Sequence, residues 1–309
     1  MEQARRFFVQ HFEIFVVITL VVATTLTLFV VVDKLAFLNF FYIPVLAASY
    51  YLGRTRGLLT GIVAVLLIAL FAFLNPDFLG DFMRGSPVTS VILWGAFLIV
   101  TAWIVGGLYE AKTRTLSQLQ QAYDGIVELL AKFIDVVDGC TKEHSVRVAE
   151  LAVSIANTMS LSERECEHIR VAGLLHDIGK IEVSMDVLTK ASMLTEEEWD
   201  EMRTHTTKAA ELLGPVGDVL RDVIPIVVNH HEYFDGGGYQ GVRGREIPIG
   251  ARVLAVADAY DSIITDRPYR AGKPSWEAVA EIERRSGSQF DPDVVQAFMS
   301  VHRALMQYV

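Results

Sequence analysis

Hydrophobic positions divide this chain into two regimes. Up to Tyr109 they run in long blocks, and beyond it they recur every three or four residues among charged and polar ones. Four blocks stand out: Ile14 to Val32, Leu35 to Leu52, Leu58 to Leu74 and Val91 to Leu108. Each approaches the ~20 apolar residues that a helix needs to cross a bilayer. None contains an ionisable residue, so nothing in them marks a proton or ion path, and an anchor or sensor is expected rather than a transporter. Arg5 and Arg6 precede the first block, as in a signal peptide, but that apolar run outlasts an h-region of about 7–15 residues and three more blocks follow. The expected first domain is therefore a four-span membrane module over 1–110.

Basic residues give the orientation. Arg5, Arg6, Arg54, Arg56, Lys112 and Arg114 fall on one side of these spans, and only Lys34 and Arg84 on the other, beside Asp33, Asp77 and Asp81. The side rich in Lys and Arg faces the cytoplasm, which puts both termini and everything after the fourth span there. The expected location is a bacterial inner membrane, with the lipid bilayer as a partner. The run from Phe41-Tyr42-Ile43-Pro44-Val45 to Gly53-Arg54 resembles the four-helix input modules of some bacterial sensor kinases.

After Tyr109 the pattern becomes helical and amphipathic. Leu119, Ala122, Ile126, Leu129, Phe133 and Val136 alternate spacings of three and four, an a/d seam interrupted by Gly125. This connector, 111–130, is either a short parallel coiled coil that makes a homodimer or one amphipathic helix packed on the following domain. From about Gly139 onward, helix-period runs cover Val146–Met159, Glu165–Leu175, Glu196–Leu213, Val219–His231, Ala251–Ile264 and Trp276–Arg285. Gly214-Pro215 and Asp235-Gly236-Gly237-Gly238 punctuate them, and alternating patterns are scarce. The expected fold class is all-α.

Composition narrows the chemistry. A formal net charge of -10 argues against binding a nucleic-acid polymer, which needs a basic footprint. Cys140 and Cys166 are too few for a disulfide framework and read as reduced thiols. The chemistry begins at Ala172–Lys180, where an apolar helical run suddenly presents His176, Asp177 and Lys180. A buried carboxylate is costly unless compensated, and a metal ion is the strongest common compensator. Further candidates recur along the helices: His144 opens one as His-Ser-Val-Arg-Val, His205 lies in Arg203-Thr204-His205-Thr206, His230 and His231 end an apolar run, and Asp258 lies within an all-apolar stretch that should bury it. Imidazole with carboxylate suits Fe, Mn, Zn or Ni. Seven candidate ligands exceed one tetrahedral site, so two metals bridged by a carboxylate are expected, an arrangement suited to phosphate chemistry. His11, His168 and His302 lack such a context and read as ordinary residues.

Together, His144, His176-Asp177 and Asp258 resemble the HD superfamily of metal-dependent phosphohydrolases. His205, His230-His231, the loop Asp235 to Gly241, Ile247-Pro248, Ala251-Arg252, Arg267-Pro268-Tyr269-Arg270 and Phe290-Asp291-Pro292 resemble its HD-GYP branch, the cyclic di-GMP phosphodiesterases of bacteria. The resemblance covers 131–309. It implies one metal on His144, His176, Asp177 and Asp258, and a second, bridged by Asp177, on His205, His230 and His231. Iron or manganese is the implied pair of divalent ions. It further implies that Lys180 serves the scissile phosphate, either stabilising negative charge or protonating the leaving oxygen. Arg267 and Arg270 would grip phosphate and guanine, and Gly238 and Tyr239 would contact the substrate. Arg267 could equally pair with Asp261 or Asp266. GGDEF-domain proteins are candidate partners.

The chain departs from the family pattern twice. Gln240 replaces the proline of Gly-Tyr-Pro, which frees φ there and predicts a looser loop. Cys140 stands where three-metal members have glutamate, favouring two metals; thiolate ligation by Cys140 is the lesser reading. The resemblance thus implies a membrane-bound enzyme that cleaves cyclic di-GMP to pGpG or GMP under control of its membrane module. A catalytically silent dinucleotide receptor, or a hydrolase of another cyclic nucleotide such as cyclic GMP-AMP, would share most of these residues.

Overall fold

In the computed structural model, residues 12–28, 30, 38–75, 87–138, 143–190, 192–266 and 271–306 are described. Among them all regular structure is helical, apart from an isolated bridge between Ser286 and Phe290. The chain forms two compact units, Met1–Gln121 and Ala122–Val309.

The first unit holds α1 (Phe12–Leu28), a 3-10 turn (Leu38–Phe41), α2 (Tyr42–Leu74) and most of α3 (Pro87–Val137). Helix α2 is interrupted at Gly53, whose φ of 84° suits a residue without a Cβ. The two arms close on each other: a Cβ at Gly57 would lie 2.2 Å from the Ser49 hydroxyl oxygen. The apolar blocks ending at Leu52 and beginning at Leu58 are thus the two sides of this break. Phe41, Val45, Ala64, Ile68, Leu98 and Ala102 form a buried core, yet Leu66, Phe73, Ile92, Leu93 and Phe97 are mostly exposed. An apolar exterior around an apolar core is unusual for a surface facing water. Leu38–Leu74 and Val91–Val137 are long and apolar enough to cross a membrane, and Glu13–Thr27 is a shorter apolar helix.

Helix α3 continues unbroken to Val137, so one helix leads from the last apolar block into the second unit. The stripe that packs there is Val127, Ala131 and Ile134, all buried. Leu119, Ile126, Leu129, Phe133 and Val136 are each more than half exposed. The idea that the 3-4 seam packs on its own domain is therefore corrected: the opposite face does so, because this helix carries two apolar stripes.

The second unit continues with α4 (His144–Thr158), α5 (Glu163–Leu175), α6 (Met185–Leu188), α7 (Glu196–Arg203), α8 (His205–Leu213), α9 (Ile224–Val228), α10 (Ile249–Ile264), α11 (Ser275–Arg284) and α12 (Pro292–Met306). Helices α5 and α7 begin with reciprocal capping boxes, Ser162 with Glu165 and Thr195 with Glu198. Gly173 lets α5 cross α4 closely, since a Cβ there would lie 2.8 Å from Ala149 Cα. The core runs through Ile155, Ile169, Leu175, Val227, Leu254, Ile282 and Phe298.

Two expected elements are revised. Val219–His231 is not one helix but a 3-10 stretch (Gly214–Leu220) followed by the five-residue α9, because Pro225 restricts the residue before it and fits only a helix's first turn. Glu196–Leu213 is divided at Thr204 into α7 and α8. Helix α12 was not anticipated, although Val294, Val295 and Phe298 bury one face of it.

Candidate metal centre

The candidate ligands stand mostly at helix ends, where the backbone can aim side chains inward from several directions. His144 opens α4, His176 and Asp177 follow α5, His205 opens α8, His230 and His231 follow α9, and Asp258 lies within α10. Gly179 allows the turn after Asp177 to touch α8, because a Cβ there would fall 1.8 Å from the His205 carbonyl oxygen.

Three of the imidazoles are held alike. The Nδ1 atoms of His176, His205 and His230 lie 2.8, 2.7 and 2.6 Å from the carbonyl oxygens of Gly173, Met202 and Val227, each three residues earlier. A carbonyl only accepts, so Nδ1 carries a proton in each, and Nε2 presents a lone pair whenever the ring is neutral. All three Nε2 atoms are buried without a hydrogen-bond partner. That is the arrangement of metal-binding histidines, whose second nitrogen is tied to a fixed acceptor. His144 differs, with its Nδ1 2.7 Å from Asp261 Oδ2.

Donor atoms converge in three overlapping groups: His144, His176 and Asp258; His176, Asp177 and His230; and His205, His230 and His231. Within each group they lie within 4.8 Å of one another. Asp177 Oδ2 is 3.1 Å from His176 Nε2, a close but poorly aligned approach, and Asp177 Oδ1 is 3.8 Å from His205 Nε2. All seven sequence candidates thus come together, and nitrogen and oxygen donors around orphaned lone pairs fit transition-metal ions. Asp258 corrects one expectation. Its side chain is 18% exposed because it faces a cleft, and Ser262 Oγ donates to it at 3.1 Å.

Electrostatics follow the packing. Burial pushes His231 down to about 3 and also lowers His205 and His230, so all three stand neutral with lone pairs available. Burial opposes charge on His176 too, but Asp177 and Asp258 outweigh it and raise that imidazole to about 9. Burial would raise Asp177, yet His176 and Lys180 hold its carboxyl well below the usual range. Lys180 Nζ donates to Asp177 Oδ2 at 2.8 Å and to Asp138 Oδ2 at 2.9 Å. Those carboxylates overcome burial and raise its pKa, so the ammonium keeps its charge.

The cluster forms the floor of a cleft of about 870 Å³ that Asp138, Lys180, Tyr239, Asp258 and Arg285 also line. Tyr239 stacks obliquely on His231 with ring centres 4.8 Å apart. Gly238 lines a smaller side pocket instead, and a Cβ there would fall 2.5 Å from Glu232 Cα. Gln240 brings compensation where a looser loop was expected. Its N–H donates to the buried Glu232 Oε1 at 2.6 Å, while Val242 N–H donates to Oε2 at 3.0 Å. Proline could not make the first of these bonds.

Arg267, Arg270 and Cys140 lie outside the described residues, as does His11. Asp261 is engaged by His144 and Arg147, and Asp266 accepts from the Gly272 N–H. His302 bonds Ser275 Oγ at 2.7 Å and His168 lies 3.9 Å from Asp222, both outside the cluster. Asp138, Asp261 and Arg147 escaped the reading of the sequence. A signal existed only for Asp261, three residues after Asp258 on the same face of an apolar helix.

A family model described as HD domain matches residues 128–294. The chain is 38% identical over 182 residues to a cyclic di-GMP phosphodiesterase of Thermotoga maritima, covering 58% of this chain and 50% of that protein. It is 34% identical over 195 residues to a cyclic di-GMP phosphodiesterase response regulator of Xanthomonas campestris, covering 62% and 52%. It is also 34% identical over 189 residues to a 3'3'-cGAMP-specific phosphodiesterase of Vibrio cholerae, covering 60% and 40%. The chain thus spans about half the length, or less, of these relatives.

Proposed function

Because the chain belongs to the HD domain family, we propose that it is a metal-dependent phosphodiesterase acting on a cyclic dinucleotide, cyclic di-GMP in the first instance. The observation that carries this is the set of buried, unpartnered Nε2 atoms around Asp177, beside a charged lysine at the floor of an open cleft. The test is turnover: purified full chain in detergent, supplied with Mn or Fe, converts cyclic di-GMP to pGpG or GMP. Lack of turnover with every metal tried sinks the reading.

Two divalent ions are proposed. One belongs to His144, His176, Asp177 and Asp258, the other to His205, His230 and His231, with Asp177 shared. Bound there, they would supply a nucleophile from water and neutralise charge on the phosphodiester. The position of Asp177 between the two imidazole groups supports the sharing. The ammonium of Lys180 is held between Asp177 and Asp138, and its raised pKa favours stabilising negative charge over giving up a proton. Tyr239, leaning on His231, would border the bound substrate.

The first unit is proposed as a four-span module in a bacterial inner membrane, with both termini cytoplasmic. Its exposed apolar exterior and the break at Gly53 support this. The exposed seam from Leu119 to Val136 supports a parallel homodimer, through which the module would tune the phosphodiesterase. The 3'3'-cGAMP-specific relative of Vibrio cholerae favours cyclic GMP-AMP as the second substrate reading. A panel of cyclic dinucleotides separates the two.

A further inference from the structure

Beside the metal cleft lies a second cavity of about 440 Å³, bounded by Trp199, Arg203, Tyr233, Gly237, Gly238 and Tyr239. Trp199 and Tyr239 line both cavities, so the two adjoin. The walls of the smaller one are aromatic rings and a guanidinium, with Arg203 Cζ 6.0 Å from the centre of the Tyr239 ring. Its floor is kept low by glycines. A Cβ at Gly238 would strike the backbone of Glu232 and Tyr233, and one at Gly237 would come within 3.4 Å of the Tyr233 ring.

Trp199 is not part of the domain's apolar core. Helix α7 buries none of its residues, and Trp199 is 45% exposed, facing the two cavities. A large aromatic side chain on such a helix gains little from the fold. Flat aromatic walls recognise flat, π-rich ligands, and nucleobases stack on them regardless of sequence. A guanidinium adds preference, because its paired N–H donors match the O6 and N7 acceptors on the edge of guanine. Tyr239 also stacks on His231, which fixes this cavity directly beside the candidate ligands.

We propose that the pocket of Trp199, Arg203, Tyr233 and Tyr239 is the subsite for one guanine base of the substrate, whose phosphodiester lies over the metal cluster. This rests on the cyclic-dinucleotide reading and deepens it. Trp199 and Tyr233 supply stacking faces, and Arg203 favours guanine over adenine at this end of the ligand.

The test compares two substrates with the Mn-loaded full chain in detergent: cyclic di-GMP, and bis(p-nitrophenyl) phosphate, a diester without bases. Trp199→Ala and, separately, Arg203→Gln are expected to raise KM for cyclic di-GMP about tenfold, the scale of one lost base stack. Hydrolysis of the base-free diester should stay within twofold. An unchanged KM for cyclic di-GMP overturns the subsite alone and leaves the substrate reading standing. Equal losses on both substrates also overturn it, since the residues would then act through the metals or the fold. A wild-type chain that cleaves the base-free diester but no cyclic dinucleotide removes the substrate reading, and the subsite with it.

Discussion

His144 Nδ1 lies 2.7 Å from Asp261 Oδ2, and Arg147 grips the same buried carboxylate through its Nε and a terminal nitrogen. The other imidazoles that are held through Nδ1 rest on backbone carbonyls, so the two candidate ion positions differ in what supports them. The His144 position has a charged carboxylate behind its imidazole, held down to about 2 despite burial by His144 and Arg147. Asp261→Asn is expected to weaken the ion of His144, His176 and Asp258 by roughly 10–100-fold. The position of His205, His230 and His231 should be unaffected. Chelator competition with metal analysis reads this, and equal losses at both positions, or none, would contradict the assignment.

Metal uptake should depend on pH through His176. Without metal its imidazole is raised to about 9, since Asp177 and Asp258 outweigh the burial that alone would lower it. Below that pH it carries a proton that must leave before Nε2 can bind an ion. Affinity at this position is therefore expected to climb between pH 6 and pH 8 and level off above about 9. His231, near 3, adds no such dependence in that range. Titration with Mn at several pH values checks it, and a flat profile from pH 6 to 8 would count against it.

Lys180→Met removes the ammonium that bonds both Asp177 and Asp138. Turnover of cyclic di-GMP is expected to fall about 10²–10³-fold, the scale for losing one preorganised electrostatic group. Bound metal should be retained. Full turnover in this variant, with metal analysis unchanged, would remove Lys180 from the chemistry.

Gln240→Pro restores the residue that the family pattern has at this place, yet it deletes the N–H that satisfies Glu232 Oε1. A buried acceptor left without its donor costs about 1–3 kcal/mol. The variant is expected to melt at a lower temperature than the parent. An equal or higher Tm would show that the bond from Gln240 contributes nothing.

What could be read from sequence follows from how rare each residue is in its setting. His176, His230 and Asp258 interrupt or end apolar stretches, where an ionisable group has few reasons to be, whereas His144 and His205 stand among polar neighbours and are marked only as further imidazoles at helix starts; all five converge. Asp138 and Arg147 carry no such mark, so only the fold shows that they reach Lys180 and Asp261 at the centre. The connector shows a different limit. Val127, Ala131 and Ile134 share α3 with Leu119, Ile126, Leu129 and Phe133, and periodicity identifies both stripes without saying which the domain takes. Pro225 is visible in the sequence and sets where α9 starts, although the apolar run around it has the period of a longer helix. Helix α12 is legible in the helical spacing of Val294, Val295 and Phe298, which bury one face of it.

Asp177, between the two imidazole groups and bonded to Lys180, is where the proposed mechanism is most exposed to a test. The measurement is metal content per chain together with turnover of cyclic di-GMP, for the parent and for Asp177→Ala. The expected result is two ions and turnover in the parent, with at least one ion lost and turnover abolished in the variant. An Asp177→Ala protein that keeps both ions and full turnover would contradict a shared carboxylate at this centre.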